Sequence, residues 1–297
     1  MRVSTDPLSP ILTDTPFADM PLLDHHCHGV TTETLDRSAF EALITESDWA
    51  APAGTTHFDS QIGFAILRHC APVLGLDRFP SPDDYLARRR ELGGVEVNRR
   101  LLRATGISDY LVEVGHRGDE ILDPAGMADA AAARAFEVVR LEQIAEELVL
   151  GGCRADDFRA VFARELDGRL TRAVGVKSIA AYRIGLDFAA GRPDDADVDA
   201  AVDQWVRRHI VGAPVRLADA MIIRHLLWAA VDRGCAIQFH IGYGDADVDL
   251  HRCNPLLLTE FLRLTRESGA RVMLLHCYPF HREAGYLAQV FPHVYFD

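Results

Sequence analysis

The feature that most limits the fold of this chain is an alternation, through its second half, of short apolar runs with longer amphipathic stretches. "VGVKSIAAYR", "CAIQFHIGY", "RVMLLHCYP" and "VYFD" read as strands. Between them lie helical patterns such as "LADAMIIRHLLWAAVDRG" and "NPLLLTEFLRLTRESG", closed by Gly234 and Gly269, the residue type that best ends a helix in the left-handed conformation. Apolar strands separated by helices belong to a parallel sheet with helices covering it. "LLDHHCHG", "ISDYLVEVG" and "AFEVVRLE" extend the rhythm upstream, "AFEVVRLE" running into the helix "QIAEELVL". Seven strands result, with Leu22 and Leu23 expected to be buried in the first.

The fold class read from this pattern is α/β, a TIM (β/α)8 barrel truncated after strand 7; an open doubly wound sheet is the alternative. By the size of one βα unit with its loops, closing such a barrel takes roughly 50 to 80 further residues. Residues 1–297 are read as a single barrel domain, in which 30–106 form a helical insertion after strand 1, since no flexible linker flanks that segment. Inside the insertion, Ser81 followed by Pro82 and Asp84 predicts a capped helix start, and Gly106 a helix end.

Composition narrows the functional classes. The net charge of −13 and the absence of any basic run longer than Arg88-Arg89-Arg90 argue against a nucleic-acid partner. No stretch has the apolar length of a membrane span or a signal-peptide core, so a cytoplasmic protein with no membrane partner is expected. The six cysteines are scattered without a C-x-x-C pair, a reduced-compartment pattern that suggests neither a disulfide framework nor a zinc knuckle. P-loop, G-x-G-x-x-G and G-x-S-x-G signatures are missing, which weakens nucleotide-dependent and serine-hydrolase readings.

In a barrel the chemistry gathers at the C-terminal ends of the strands. Alternation along a strand puts His26 and His28 on one face, able to share a metal ion, with His25 and Cys27 on the other. Strand 4 ends in Lys177 with Tyr182 and Arg183 after it, strand 5 carries Gln238 and His240, and strand 6 carries His276. A lone buried histidine is more often a satisfied core residue than a ligand, but four at equivalent strand ends are hard to explain as packing. Arg183 and Arg282 have the forked geometry that grips a carboxylate, a rim salt bridge being the plainer role for Arg282. Tyr182, Gln238, Tyr243 and Asp245 are candidate pocket liners, and Glu113 and Glu142 candidate supports for the histidines.

With these residues in this order, the chain resembles the amidohydrolase superfamily of metal-dependent hydrolases, which implies that the barrel is a distorted TIM (β/α)8 barrel. The H-x-H of strand 1 is His26 and His28, and the histidines of strands 5 and 6 are His240 and His276. More narrowly, "VGVKSIAAYRIGL", "QFHIGYGDADVDLHRCNPLLL" and "LLHCYPFHREAGYLAQVFPHVYFD" resemble the amidohydrolase-2 branch, which includes domains fused to glutamine synthetase-like modules in fungi and plants. The resemblance implies one or two ions of Zn2+ or Mn2+ held by His26, His28, His240, His276 and Lys177. It also implies a catalytic part for His276 and Lys177, and a substrate site that includes Arg183, Tyr182, Tyr243 and Gln238. In several members the strand 4 lysine is carboxylated and bridges two metals. An unmodified Lys177 paired with a substrate carboxylate or with Glu113 is the competing account.

The implied reaction is attack of metal-activated water on an amide or related C–N bond of a small, carboxylate-bearing substrate. A decarboxylase or uronate-isomerase-like reaction on the same site, or an inactive barrel serving as an interaction module, stand as alternatives, with homo-oligomer formation a further candidate property. The family's strand 8 aspartate has no counterpart in this sequence, and Asp297, at the end of strand 7, is not a substitute for it.

Overall fold

The computed structural model describes residues 20–297, so the N-terminal stretch read as lacking a signal peptide lies outside the described residues. Seven strands form among the described residues: β1 (Leu22–Cys27), β2 (Ile107–Glu113), β3 (Arg134–Arg140), β4 (Ala173–Ser178), β5 (Ala236–His240), β6 (Arg271–Leu275) and β7 (Val294–Phe296). They are hydrogen-bonded in chain order, and the pairs β1/β2 and β3 through β7 are parallel. Helices occupy every connection, so the class is α/β with the connectivity of successive βα units. Among the described residues no helix is long and apolar enough to cross a membrane.

Two compact units divide the chain. The first comprises Met1–Val112 and His116–Phe136. Its strands pack Tyr110 and Val112 against Met127 and Ala131, with Cys27, Val30 and Leu122 alongside. The long connection from β1 to β2 is helical and has its own core, in which Phe40, Phe58 and Tyr85 meet Leu67, Leu74 and Val97. Ser81 caps the helix Pro82–Leu92 as expected, its Oγ accepting the Asp84 N–H at 3.1 Å. The helical stretch that follows is split at Gly93, whose φ of 76° ends one helix before Gly94–Arg103 begins the next. Gly94 is required for a different reason: a Cβ there would stand 2.2 Å from the carbonyl oxygen of Thr32.

Leu22 and Leu23 are exposed at 44% and 57%, contrary to the burial expected of them. They open β1, and the apolar packing of this unit reaches the strand only at Cys27, near its far end.

The second unit comprises Glu113–Gly115 and Glu137–Asp297. Helices Leu141–Leu150, Phe158–Leu170, Asp195–Ile210 and Ala220–Asp232 supply Ile144, Phe158, Phe162, Trp205, Leu226 and Leu227 to one core with Val139, Val176, Ile237, Phe239 and Leu274 of the strands. Each such side chain contributes about 1.5–3 kcal/mol by leaving water. Gly234 (φ 62°) and Gly269 (φ 84°) follow the helices they were expected to close. The run "VGVKSIAAYR" is not all strand: β4 stops at Ser178, and Ala180–Arg183 is a helical turn. The break has a local cause. The Ile179 N–H turns to the Glu142 carboxylate, and Ser178 Oγ accepts the Ala180 N–H at 3.2 Å, as a cap would.

Candidate functional site

In the second unit the polar groups collect at the C-terminal ends of β3, β4, β5 and β6. Arg140 ends β3 and is in register with Lys177 of β4, which is in register with Gln238 of β5. Glu113 is fully buried, and the Arg140 guanidinium grips it with two donors, Nε to Oε1 at 3.1 Å and Nη2 to Oε2 at 2.5 Å. The Gly115 N–H donates to the same carboxylate, and a Cβ on Gly115 would collide with Glu113 and Arg140, so the chain passes too close for any side chain. Lys177 Nζ stands 3.7 Å from Glu113 Oε2 with the side chain 3% exposed. Burial lowers its ammonium to about 8; Glu113 opposes that shift and Arg140 adds to it. Lys177 is the only lysine of the chain.

His240 and His276 bring their ring centroids to 4.8 Å, and Tyr182 stands 4.5 Å from His240 on the other contact. Burial, with smaller contributions from His276 and Lys177, drives the His240 imidazolium down to about 2, so the ring is neutral across the physiological range. Its buried Nε2 has no hydrogen-bond partner. His276 follows β6 with a φ of 62°, and its N–H donates to the Asp297 carboxylate.

In the first unit, His26 and His28 lie with ring centroids 5.2 Å apart, edge to face, and His116 stands 4.8 Å from His28. Strand alternation is not what brings the first two together. The β1 register against β2 slips between Asp24 and Cys27, and His28 lies past the end of the strand. The Asp24 carboxylate accepts the His26 N–H at 3.2 Å within this slip. A bulge of this kind re-aims side chains near a strand end.

The expected site residues are thus gathered within each unit: His26 and His28 in the first; Lys177, Gln238, His240, His276 and Tyr182 in the second. Two others are placed differently. Arg183 pairs with Glu146 Oε1 at 3.0 Å and donates to the Leu217 carbonyl, which leaves its charge engaged inside the protein. Tyr243 has an exposed ring, and its N–H donates to the carbonyls of Tyr278 and His276. Glu142, expected to support a histidine, accepts instead from Ser178 Oγ at 2.6 Å and the Ile179 N–H at 3.0 Å; burial pushes its carboxyl up. Arg140 and His116 were not picked out from the sequence. Arg140 was detectable by the rule that found Lys177, a charge ending an apolar strand.

Among the described residues no three His, Cys, Asp or Glu side chains form a ready metal cluster. The donors are nonetheless of the right kind for a divalent ion. His240 offers a neutral imidazole with a buried nitrogen unmatched by any donor, and His276 lies against it. The residues present therefore fit a metal of borderline softness.

Comparison with known proteins agrees with this chemistry. A solved structure from Lactobacillus casei ATCC 334, of a protein assigned to the metal-dependent hydrolases, is 31% identical with a TM-score of 0.76, over 95% of this chain and 74% of the other. Uronate isomerases from Bacillus halodurans and Thermotoga maritima, at 13% and 12% identity and TM-scores of 0.53, share the fold over 93% and 94% of this chain and 71% and 75% of theirs. Protein fluG of Emericella nidulans is 28% identical over 93% of this chain, which spans 35% of its length. No family model matches the chain.

Proposed function

We propose, starting from the fact that the chain belongs to the metal-dependent hydrolase family of its Lactobacillus casei relative, that it is an enzyme hydrolysing an amide or related C–N bond of a small substrate. The observation that carries this reading is the buried, neutral His240 with its unmatched Nε2 beside His276. His240, His276 and Lys177 are the proposed metal ligands of the second unit, and His26 and His28 those of the first. Zinc or manganese, when bound, supplies Lewis-acid polarisation of a carbonyl and acidifies water.

The chain's own residues prepare that chemistry. Glu113, fixed by Arg140, holds Lys177 at the strand end, and an amine lowered to about 8 has an appreciable neutral fraction near pH 7, the form that takes up carbon dioxide as a carbamate. The Glu113 pair supports the unmodified lysine equally, so both states belong to the proposal. Tyr182, against His240, and Gln238, in register with Lys177, are the proposed substrate contacts. Arg183 is assigned to bracing its helical turn through Glu146, and selection of a substrate carboxylate is not assigned to it.

Elemental analysis of the purified chain is the test. Near-stoichiometric zinc or manganese that is lost in the His26→Ala/His28→Ala double variant and in His240→Ala is the expected result. A folded chain that takes up neither metal overturns the reading. With one lysine in the sequence, 13C-bicarbonate labelling assigns a lysine carbamate to Lys177 as the signal that vanishes in Lys177→Ala, the N-terminal amine accounting for any that remains.

A further inference from the structure

His276 is held from both sides in a backbone conformation that a histidine seldom adopts. Its φ of 62° lies in the left-handed region, which is unfavourable for a non-glycine residue and persists only where the surroundings enforce it. The enforcement is visible. On one side the His276 N–H donates to Asp297 Oδ2 at 3.0 Å, and the Cys277 N–H donates to Oδ1 of the same carboxylate at 3.2 Å. On the other, the His276 carbonyl accepts the Tyr243 N–H at 3.1 Å. Gly242 lets the loop after β5 come this close: its φ is 56°, and a Cβ there would stand 2.8 Å from the His276 oxygen and 2.5 Å from that of Tyr278. Consecutive amides in such a turn form a concavity that binds an anion, and a carboxylate is the side chain that satisfies both at once with charge-assisted bonds.

We infer that Asp297 is a positioning residue: its carboxylate, gripping the amides of His276 and Cys277, fixes the left-handed turn that sets the His276 ring against His240. The inference deepens the proposed function, since it rests on His276 being a metal ligand; it gives Asp297 a part distinct from proton transfer. Metal-ligand supports of this kind are worth about 10- to 100-fold in affinity.

The test compares wild type with Asp297→Ala and Asp297→Asn by three readouts. In the metal-free chain, amide hydrogen exchange at His276 and Cys277 is expected to accelerate about tenfold or more in the alanine variant. The His276 ring resonance, identified by its loss in His276→Asn, is expected to move. Cobalt(II) titration, read by its visible absorption, is expected to show about 10- to 100-fold weaker binding. The asparagine variant keeps one acceptor and should fall between the other two in all three. Wild-type exchange and an unmoved ring signal in Asp297→Ala overturn the inference. Faster exchange with an unmoved ring and unchanged cobalt affinity also overturns it, because the carboxylate then holds backbone without placing the side chain. If the wild-type chain takes up no cobalt, the metal reading falls, while exchange and ring signal still decide whether Asp297 sets His276.

Discussion

Each unit of this protein presents a pair of imidazoles in ring contact, and the two pairs are made in opposite ways. His26 and His28 are neighbours in sequence, brought edge to face at 5.2 Å by a register slip at the end of one strand. His240 and His276 come from adjacent strands and meet at 4.8 Å because β5 and β6 pair in parallel, His240 opposite Leu275. The first pair comes from one segment, with His116 of a neighbouring loop against His28. The second is embedded: a buried glutamate, an arginine, the only lysine and a strained turn surround it. Proximity made locally leaves its neighbours free to vary, whereas proximity made by the sheet depends on every strand end around it.

That contrast can be broken most strongly at Arg140. Arg140→Met strips the buried Glu113 of its guanidinium and is expected to cost about 3–5 kcal/mol in urea unfolding. Arg37→Met in the first unit, which removes a part-buried pair with Glu41 and an exposed one with Asp83, should cost about 1 kcal/mol, well below the loss at Arg140. Equal losses at the two sites would remove the distinction.

Glu142 comes next. Glu142→Leu leaves Ser178 Oγ and the Ile179 N–H buried without an acceptor, at about 3 kcal/mol by thermal or urea unfolding. Glu142→Gln keeps the acceptor, and since burial already disfavours the charged carboxylate, it should change stability by under about 1 kcal/mol.

A pH series sharpens the comparison further. His240 is held near 2 in the folded chain against an ordinary 6.5, so between those values the unfolded chain binds the additional proton. Its contribution is complete above about 6.5 and is lost as the pH falls, by about 2 kcal/mol from pH 7 to 5 in the metal-free protein. His240→Gln should remove that part of the slope, measured by urea midpoints across the range. Ser81→Ala, in the helical segment away from both pairs, is expected to cost about 1 kcal/mol through the lost helix cap and to leave metal content unchanged.

The sequence made the strand ends readable because apolar runs there stop on a polar residue, and Lys177, His240 and His276 were found by that rule. What it hid depends on partners across the sheet. Arg140 ends its strand as conspicuously as Lys177, yet its purpose becomes apparent only when Glu113 is seen buried beneath it. Asp297 looked like the last polar residue of a strand until two amides of a neighbouring loop proved to share its carboxylate. The break in β4 was hidden for the same reason, since a glutamate far along the chain takes the Ile179 amide. A further signal stands in the composition: among thirty arginines the single lysine falls at a strand end, where an amine and a guanidinium are not interchangeable.

The sequential strand order also bears on how the chain becomes a folded molecule. β6 meets its partner β7 after a single short helix, and β5 meets β6 after two 3-10 turns and one helix, so these pairs close smaller loops at lower entropic cost. Leu22 of β1 must instead wait for Ile107, on the far side of the whole helical segment. During synthesis β1 therefore waits longer for its partner than the later described strands do, while β6 can pair with β7 soon after both emerge.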